Sequence, residues 1–486
     1  MRLRIGAVAG GVVALAAGAV EYLASGDPVE ALKAVVAGAL AVTVAWFVST
    51  LPGLSPRGLV TGGFFVLAGI LSWTYMAYPS VSVWPLLGLE GVVFAVWSWP
   101  WLRHLRAAPR LGSAWLGIGY WLLGIVGAVL VAHLGVAAER VAYAGIFGLA
   151  VLAVVASRRD LSVGIVGAFL LTIAALVLSG SGNLFDAVHP VPPGGWGTAV
   201  MAHRFWGGRY LLYHPNSLAC IGVLAALRIG PDRTFAVWQR AFAVGLAAAV
   251  VYVTNSRTGF VFAAAGALVH TVLLCRRRGR DLPEYRRPWL AAAVPFAALA
   301  VVLVVSESAG QGFLLQGRYS AEDPTSGRTA TWKQVGVEWR HAGWAEQTFG
   351  DAQTTRAVVK RAGLDLTTDN AAVGALRRGG VLGELAFLFG LALLLWHTIR
   401  GPRITAAGAR RAPPAWLTIA VVATLPTIAT ADWPLGGTGG TLWILFTAGE
   451  AWLVLHPASA GTKTRDGASA VQHVHSLSPV SRRFRG

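Results

Sequence analysis

The sequence predicts an all-α, polytopic integral membrane protein with about 12–14 transmembrane helices and a large helical loop on the outer face. Three observations predict it. Of 486 residues, 55% are hydrophobic and only 13% are charged, against about 25% charged in an ordinary soluble domain. The mean hydropathy is +0.60. Apolar runs long enough to span a bilayer recur along almost the whole chain. This composition excludes a soluble globular enzyme, a disordered chain and a fibrous one. The net charge of +18 is nearly all arginine. In a soluble protein it would suggest nucleic acid, but in a membrane chain it belongs on cytoplasmic loops, so no nucleic-acid partner is expected. Cys220 and Cys275 both fall inside apolar runs and suit core packing.

The runs lie at residues 6–24, 31–51, 58–78, 82–101, 114–135, 140–157, 161–180, 210–229, 240–255, 259–275, 289–306, 380–398, 415–432 and 438–455. The first lacks a small-residue cleavage site and reads as a retained helix. The run 82–101 holds Glu90 and two prolines, which also suits a re-entrant segment. Several runs are rich in Gly and Ala, which lets helices pack closely in lipid. No internal repeat stands out, and the polar tail after residue 457 reads as disordered.

Arginines orient the spans. With the N-terminus in the cytoplasm, alternation puts Arg57, then Arg103, Arg106 and Arg110, then Arg158 and Arg159, then Arg228, Arg233 and Arg240 inside. The run Arg276 to Arg287, the group Arg400, Arg403, Arg410 and Arg411, and the basic tail follow on the same side. The expected location is therefore the cytoplasmic membrane, multi-pass, with both termini inside. The organisation is N-terminal helices over 1–180, a membrane core with outward motifs over 181–306, an extracytoplasmic loop over 307–379, C-terminal helices over 380–456 and a cytoplasmic tail over 457–486.

Two outward segments break the rule. Residues 181–209 carry Arg204 and Arg209, and residues 307–379 carry Arg318, Arg328, Lys333, Arg340, Arg356, Lys360, Arg361, Arg377 and Arg378. Arg257 sits at an outward tip. Topology gives no reason for cations there. A solvated surface or contact with anionic headgroups is the bland account, and an anionic substrate site is the sharper one. Four stretches stand out on this face. His203 to Ala219 leads into a helix at His214-Pro215-Asn216, where Pro suits a first turn. Asn255 to Gly259 forms a tight tip. Gly327 to Trp332 opens a helix whose Trp332, Val335 and Trp339 share one face, expected to lie on the outer surface. Thr368-Asp369-Asn370 precedes Gly379, Gly380 and Gly383 at the entry of the next span.

These parts suit sugar transfer from a lipid diphosphate. The diphosphate leaves readily, so fixed guanidinium groups suffice to hold its charge. The acceptor hydroxyl needs a base, and Asp369, His214 and His341 are the outward candidates. An Asp at a helix start is also a common N-cap.

The stretches RFWGG…HPN, SRTG at 256–259, GR…W at 327–332 and DN…V…L…GG…G at 369–383 resemble, in order, those of the O-antigen ligase and polymerase (Wzy-type) superfamily of polytopic glycan transferases. The match covers about residues 200–400, and the earlier spans are similar only in hydropathy. The resemblance implies a metal-independent transferase without a cofactor, acting on a polyprenyl-diphosphate-linked glycan donor and a glycan, lipid or protein acceptor. Membrane lipid and components of a polysaccharide export pathway are the other partners. It implies that Arg257 and Arg328 hold the diphosphate, with Arg204 and Arg340 as weaker helpers. Asp369 stands where ligases keep His, and Asn370 matches the family Asn, so Asp369 becomes the base oriented by Asn370, with His214 next in line. Ligase and polymerase both stay open. The rival class is a lipid-linked-oligosaccharide flippase or other transporter, with Glu90, Glu384 and Glu450 on its path, each of which also suits a hydrogen-bonded packing role. A structural membrane scaffold is the third reading.

Overall fold

A computed structural model describes residues 2–77, 83–157, 159–187, 204–208, 211–278, 328–351, 359–361, 364–366, 370–400, 415–428 and 440–455. The protein is an all-α polytopic membrane protein. Its helices are α1 (Arg2–Ser25), α2 (Pro28–Ser49), α3 (Pro56–Ala77), α4 (Trp84–Ser98), α5 (Gly112–Leu130), α6 (Leu134–Val155), α7 (Ser162–Ser179), the short α8 (Ser181–Asp186), α9 (Pro215–Ile229), α10 (Val237–Thr254), α11 (Arg257–Arg278), α12 (Arg328–His341), α13 (Trp344–Phe349), α14 (Ala371–Arg400), α15 (Ala415–Ile428) and α16 (Thr441–Leu455). Each apolar run except 289–306 contains such a helix, and that run lies outside the described residues. Among the described residues, six helices are long and apolar enough to cross a membrane, namely α2, α5, α6, α7, α10 and α14, and five shorter apolar helices accompany them. The run 82–101 is α4 followed by a 3-10 segment, Trp99–Arg110. A small antiparallel hairpin, β1 (Val359–Arg361) with β2 (Leu364–Leu366), precedes α14.

Local chemistry sets several boundaries. Asp27 Oδ1 accepts from Val29 N at 2.8 Å and Pro28 occupies the first turn, so α2 begins there. Asn255 ends α10 in the left-handed region, at φ 49°, which Asn tolerates better than most residues. Ser256 then caps α11, its Oγ accepting from Gly259 N at 3.0 Å. Two adjacent residues thus close one helix and open the next, which makes the tip tight.

Helix α9 lies at the centre, with every residue buried except Asn216, and packs on α7, α10, α11, α15 and α16. A helix apolar on all sides belongs in an interior. Glycines let neighbours approach backbone to backbone, as where Gly58 of α3 meets Gly164 of α7. The outward faces carry exposed Leu15, Val96, Leu268 and Leu385, as lipid contact requires.

The helix ends sort into two groups. At one end Arg228 Nε of α9 donates to Ser162 Oγ at the start of α7 (2.7 Å) and its guanidinium lies over Trp416 near the start of α15. Thr418 Oγ1 donates to the Thr398 carbonyl near the end of α14, and Gln239 of α10 donates to the Thr50 carbonyl after α2. Arg57, opening α3, lies over Trp101 of the 3-10 segment. We call this the basic end, because the connections with Arg57, Arg103, Arg106, Arg110, Arg228 and Arg233 meet here. The ends of α7 and α10 and the starts of α9 and α11 form the far end. The grouping is the one that alternating spans require.

Candidate functional site

At the far end, residues 204–208 and 211–213 fold back beneath the start of α9. Phe205 N donates to the Val253 carbonyl (2.7 Å), Tyr213 N to the Trp206 carbonyl (2.9 Å), and Gly207 bridges Leu212 with φ 102°. Asn183 of α8 pins this fold-back, donating to the Arg204 carbonyl at 3.1 Å and accepting from Trp206 N at 3.0 Å.

Arg204 enters the protein, at 6% exposure. Its Nε donates to the Thr254 carbonyl (2.9 Å) and its Nη2 to Asn216 Oδ1 (2.7 Å). The same Asn216 oxygen accepts from Ser256 Oγ at 3.0 Å. One amide oxygen therefore joins the RFWGG…HPN stretch to the SRTG tip. Arg257, half-buried, is the first residue of α11, directly after the joined Ser256. The assembly can fix a guanidinium at a helix start at the mouth of the bundle, an arrangement suited to an anion.

Three sequence expectations change. Arg204 is committed inward, so it is an organiser of the site and not a surface cation. His214 is the residue just before α9 and makes no side-chain cap bond to it, and burial, with Arg204 beside it, pulls its pKa down to about 3. An imidazole held neutral that far down is a poor base at neutral pH. Asn370 accepts from Ala372 N (2.9 Å) and Val373 N (3.1 Å), so it is itself the N-cap of α14 and its oxygen is occupied by the helix start. Asp369 lies outside the described residues, and the side chain of Arg328 does as well, although its backbone opens α12. Arg340 is exposed and donates to Gly336 of its own helix. Helix α12 packs on α14, α13 and β1, so Arg340 is not part of the Arg204–Asn216 assembly. Val335 is buried, with Trp332 and Trp339 half-buried beside it, so the shared face of α12 is turned toward protein.

Because folded His214 resists protonation, its protonated fraction is larger in the unfolded chain between about pH 6.5 and pH 3. Stability should therefore fall as pH drops through that window, by up to about 1.4 kcal/mol per pH unit. A thermal melt series at pH 7, 6 and 5 checks this, and His214→Gln should flatten the slope. An unchanged slope in that variant would refute the assignment.

A second polar centre lies at the basic end. Glu450 of α16 is fully buried and accepts from Gly112 N (2.7 Å), Ser113 N (2.8 Å), Ser113 Oγ (2.7 Å) and His397 Nδ1 (2.6 Å). It caps α5 from another helix, satisfying donors that a helix start leaves open. Sequence reasoning left Glu450 open between a transport carboxylate and a hydrogen-bonded packing residue, and the second is what the structure has. Its partner at the start of α5 is more than 300 positions away in the chain, and no local signal marks such a pairing.

No family model matches the chain, and no curated protein matches it.

Proposed function

We propose that the protein is a membrane glycosyltransferase that transfers or polymerises glycan from a polyprenyl-diphosphate-linked donor on the outer face of the cytoplasmic membrane, in the manner of O-antigen ligases and polymerases. The observation that carries the reading is the Asn216 junction, which links two of the four sequence stretches and leaves Arg257 at a helix start at the far end. By the positive-inside rule the basic end faces the cytoplasm, so the far end faces outward.

In this reading the acceptor hydroxyl oxygen attacks the anomeric carbon of the donor sugar. The bond from that carbon to the phosphate oxygen breaks, and the diphosphate leaves with the electron pair. Arg257 and Arg328 stabilise the charge that develops on it. The acceptor proton goes to Asp369. His214, held neutral, is assigned to shaping the mouth of α9. The donor supplies the driving force, and the acceptor is a sugar chain end, a lipid or a protein. Of the three carboxylates named for a flippase path, Glu450 is removed from it, because four donors occupy its carboxylate.

The test is glycan transfer in membranes supplied with polyprenyl-diphosphate-linked repeat units. Arg257→Ala and Asp369→Asn, at matched expression, should each lower product formation by about 10²–10³-fold. Product length then separates polymerase from ligase. Full transfer by both variants would overturn the proposal and direct attention to movement of the lipid-linked substrate across the bilayer.

A further inference from the structure

Helix α14 consists of two sections. Gly380 has φ 63° and ψ −161°, values no helix interior adopts, and separates residues 371–379 from the long apolar section after it. The first section carries the Asn370 cap at its head and Arg378 near its foot. What fixes the angle between the sections is a joint of three backbones. A Cβ on Gly127 of α5 would overlap the Gly350 carbonyl oxygen. A Cβ on Gly350 would overlap the Arg378 carbonyl, and one on Gly380 would overlap the backbone of Thr348 and Phe349. The strap after α13, Gly350-Asp351, is thereby wedged between α5 and the kink, with Gly350 itself at φ 73°.

Charge surrounds this wedge. Arg140 of α6 is 2% exposed, with its guanidinium 5.5 Å from the Trp121 ring and 5.7 Å from that of Tyr143. Glu139 Oε1 lies 3.7 Å from its Nη2, and Asp351 acts on it electrostatically. Asp351, itself buried, also lies 4.0 Å from His133 Nδ1. Arg378, 4% exposed, stacks over Tyr120 at 4.1 Å. Tyr120 and Trp121 are neighbours on a π turn in α5, Ile118–Leu122, whose Gly119 carbonyl faces Gly379 and Gly383. A π turn is uncommon and presents its side chains differently from an α turn. Here it offers one ring to each arginine. A buried guanidinium is costly without compensation, and the buried Asp351 on the strap is one of the two carboxylates whose charge favours Arg140.

We infer that Arg140 and Asp351 are positioning residues. Through the Gly350 wedge they clamp the first section of α14 and so hold its head, the Asn370 cap, in place. The inference rests on the transferase reading for its functional half. Its structural half is read independently, by amide hydrogen exchange over residues 371–379.

The experiment uses the full-length protein in proteoliposomes with a polyprenyl-diphosphate-linked repeat unit. Asp351→Asn should speed exchange over 371–379 by at least about tenfold and leave α9 unchanged. It should lower kcat by about 10–100-fold while KM for the lipid donor stays within about twofold, because placement and not binding is lost. Arg140→Gln should act alike, and Arg140→Lys should recover part of both effects. Unchanged exchange in Asp351→Asn overturns the clamp. Faster exchange with unchanged kcat, in a protein that Asp369→Asn inactivates, overturns the positioning role. Transfer that survives Asp369→Asn removes Asp369 as the base, and a parent protein that forms no product removes the transferase reading and leaves the clamp to be judged on exchange alone.

Discussion

Replacing Asn216 by leucine is expected to destabilise the protein by about 3 kcal/mol and to abolish the outward site. Leucine matches asparagine in size but offers no acceptor. The Arg204 guanidinium would lose its 2.7 Å bond, and the Ser256 hydroxyl its 3.0 Å bond. Hydrogen bonds to a charged group contribute about 1.5–3 kcal/mol, and a neutral one about 1. The loss falls on a buried guanidinium, which no solvent can repair. Asn216→Asp should behave in the opposite way, since a carboxylate keeps both acceptor positions and faces a cation. Thermal unfolding in detergent for the two variants and for Ser256→Ala checks the idea. Ser256→Ala removes one neutral bond and the α11 cap, so it should fall between the other two. If Asn216→Leu melts with the parent, the junction does not hold the two stretches together.

The second large effect is expected at the opposite end. Glu450→Ala should cost about 4 kcal/mol or more, because the backbone donors of Gly112 and Ser113, the Ser113 hydroxyl and His397 would all lose their acceptor in a site without water access. Part of the cost is a cavity in a packed interior. Glu450→Gln keeps the volume, but its amide nitrogen would point a donor at another donor, so an intermediate loss is expected. The same end ties α5, α14 and α16 together, and the Trp443 indole donates to the Ser113 carbonyl beside it at 2.7 Å. Limited proteolysis of the Glu450→Ala protein should therefore cut first near the Gly112 connection. Wild-type melting behaviour would mean that water reaches the carboxylate and that the capping role is wrong.

Much of the architecture was legible in the sequence because spanning a bilayer is a one-dimensional demand. About twenty apolar residues in a row must satisfy their backbone groups internally, and helix is the outcome. The runs within the described residues therefore became helices nearly where composition put them, and the basic connections at Arg57, Arg103 to Arg110 and Arg228 to Arg240 share one end. The tight tip at Asn255-Ser256 was also readable, since αL tolerance and hydroxyl capping are local properties.

The roles of individual polar residues were decided only by tertiary structure. Sequence made Arg204 a weaker helper of Arg257 on one outward face, and packing made the first an internal organiser and left the second at a helix start. Sequence offered His214 as a base, and burial beside Arg204 removed that option at neutral pH. Sequence left the helix cap to Asp369, and it fell one residue later, on Asn370. Arg140 stands in the sequence simply as the first residue of the run 140–157, and in the fold it is buried inside α6 over two aromatic rings. The physical reason is common to all four. Hydropathy sums over a segment and survives small errors of register, whereas the state of one charge depends on which distant groups come within about 3 Å of it. The chain fixes that distance only by folding.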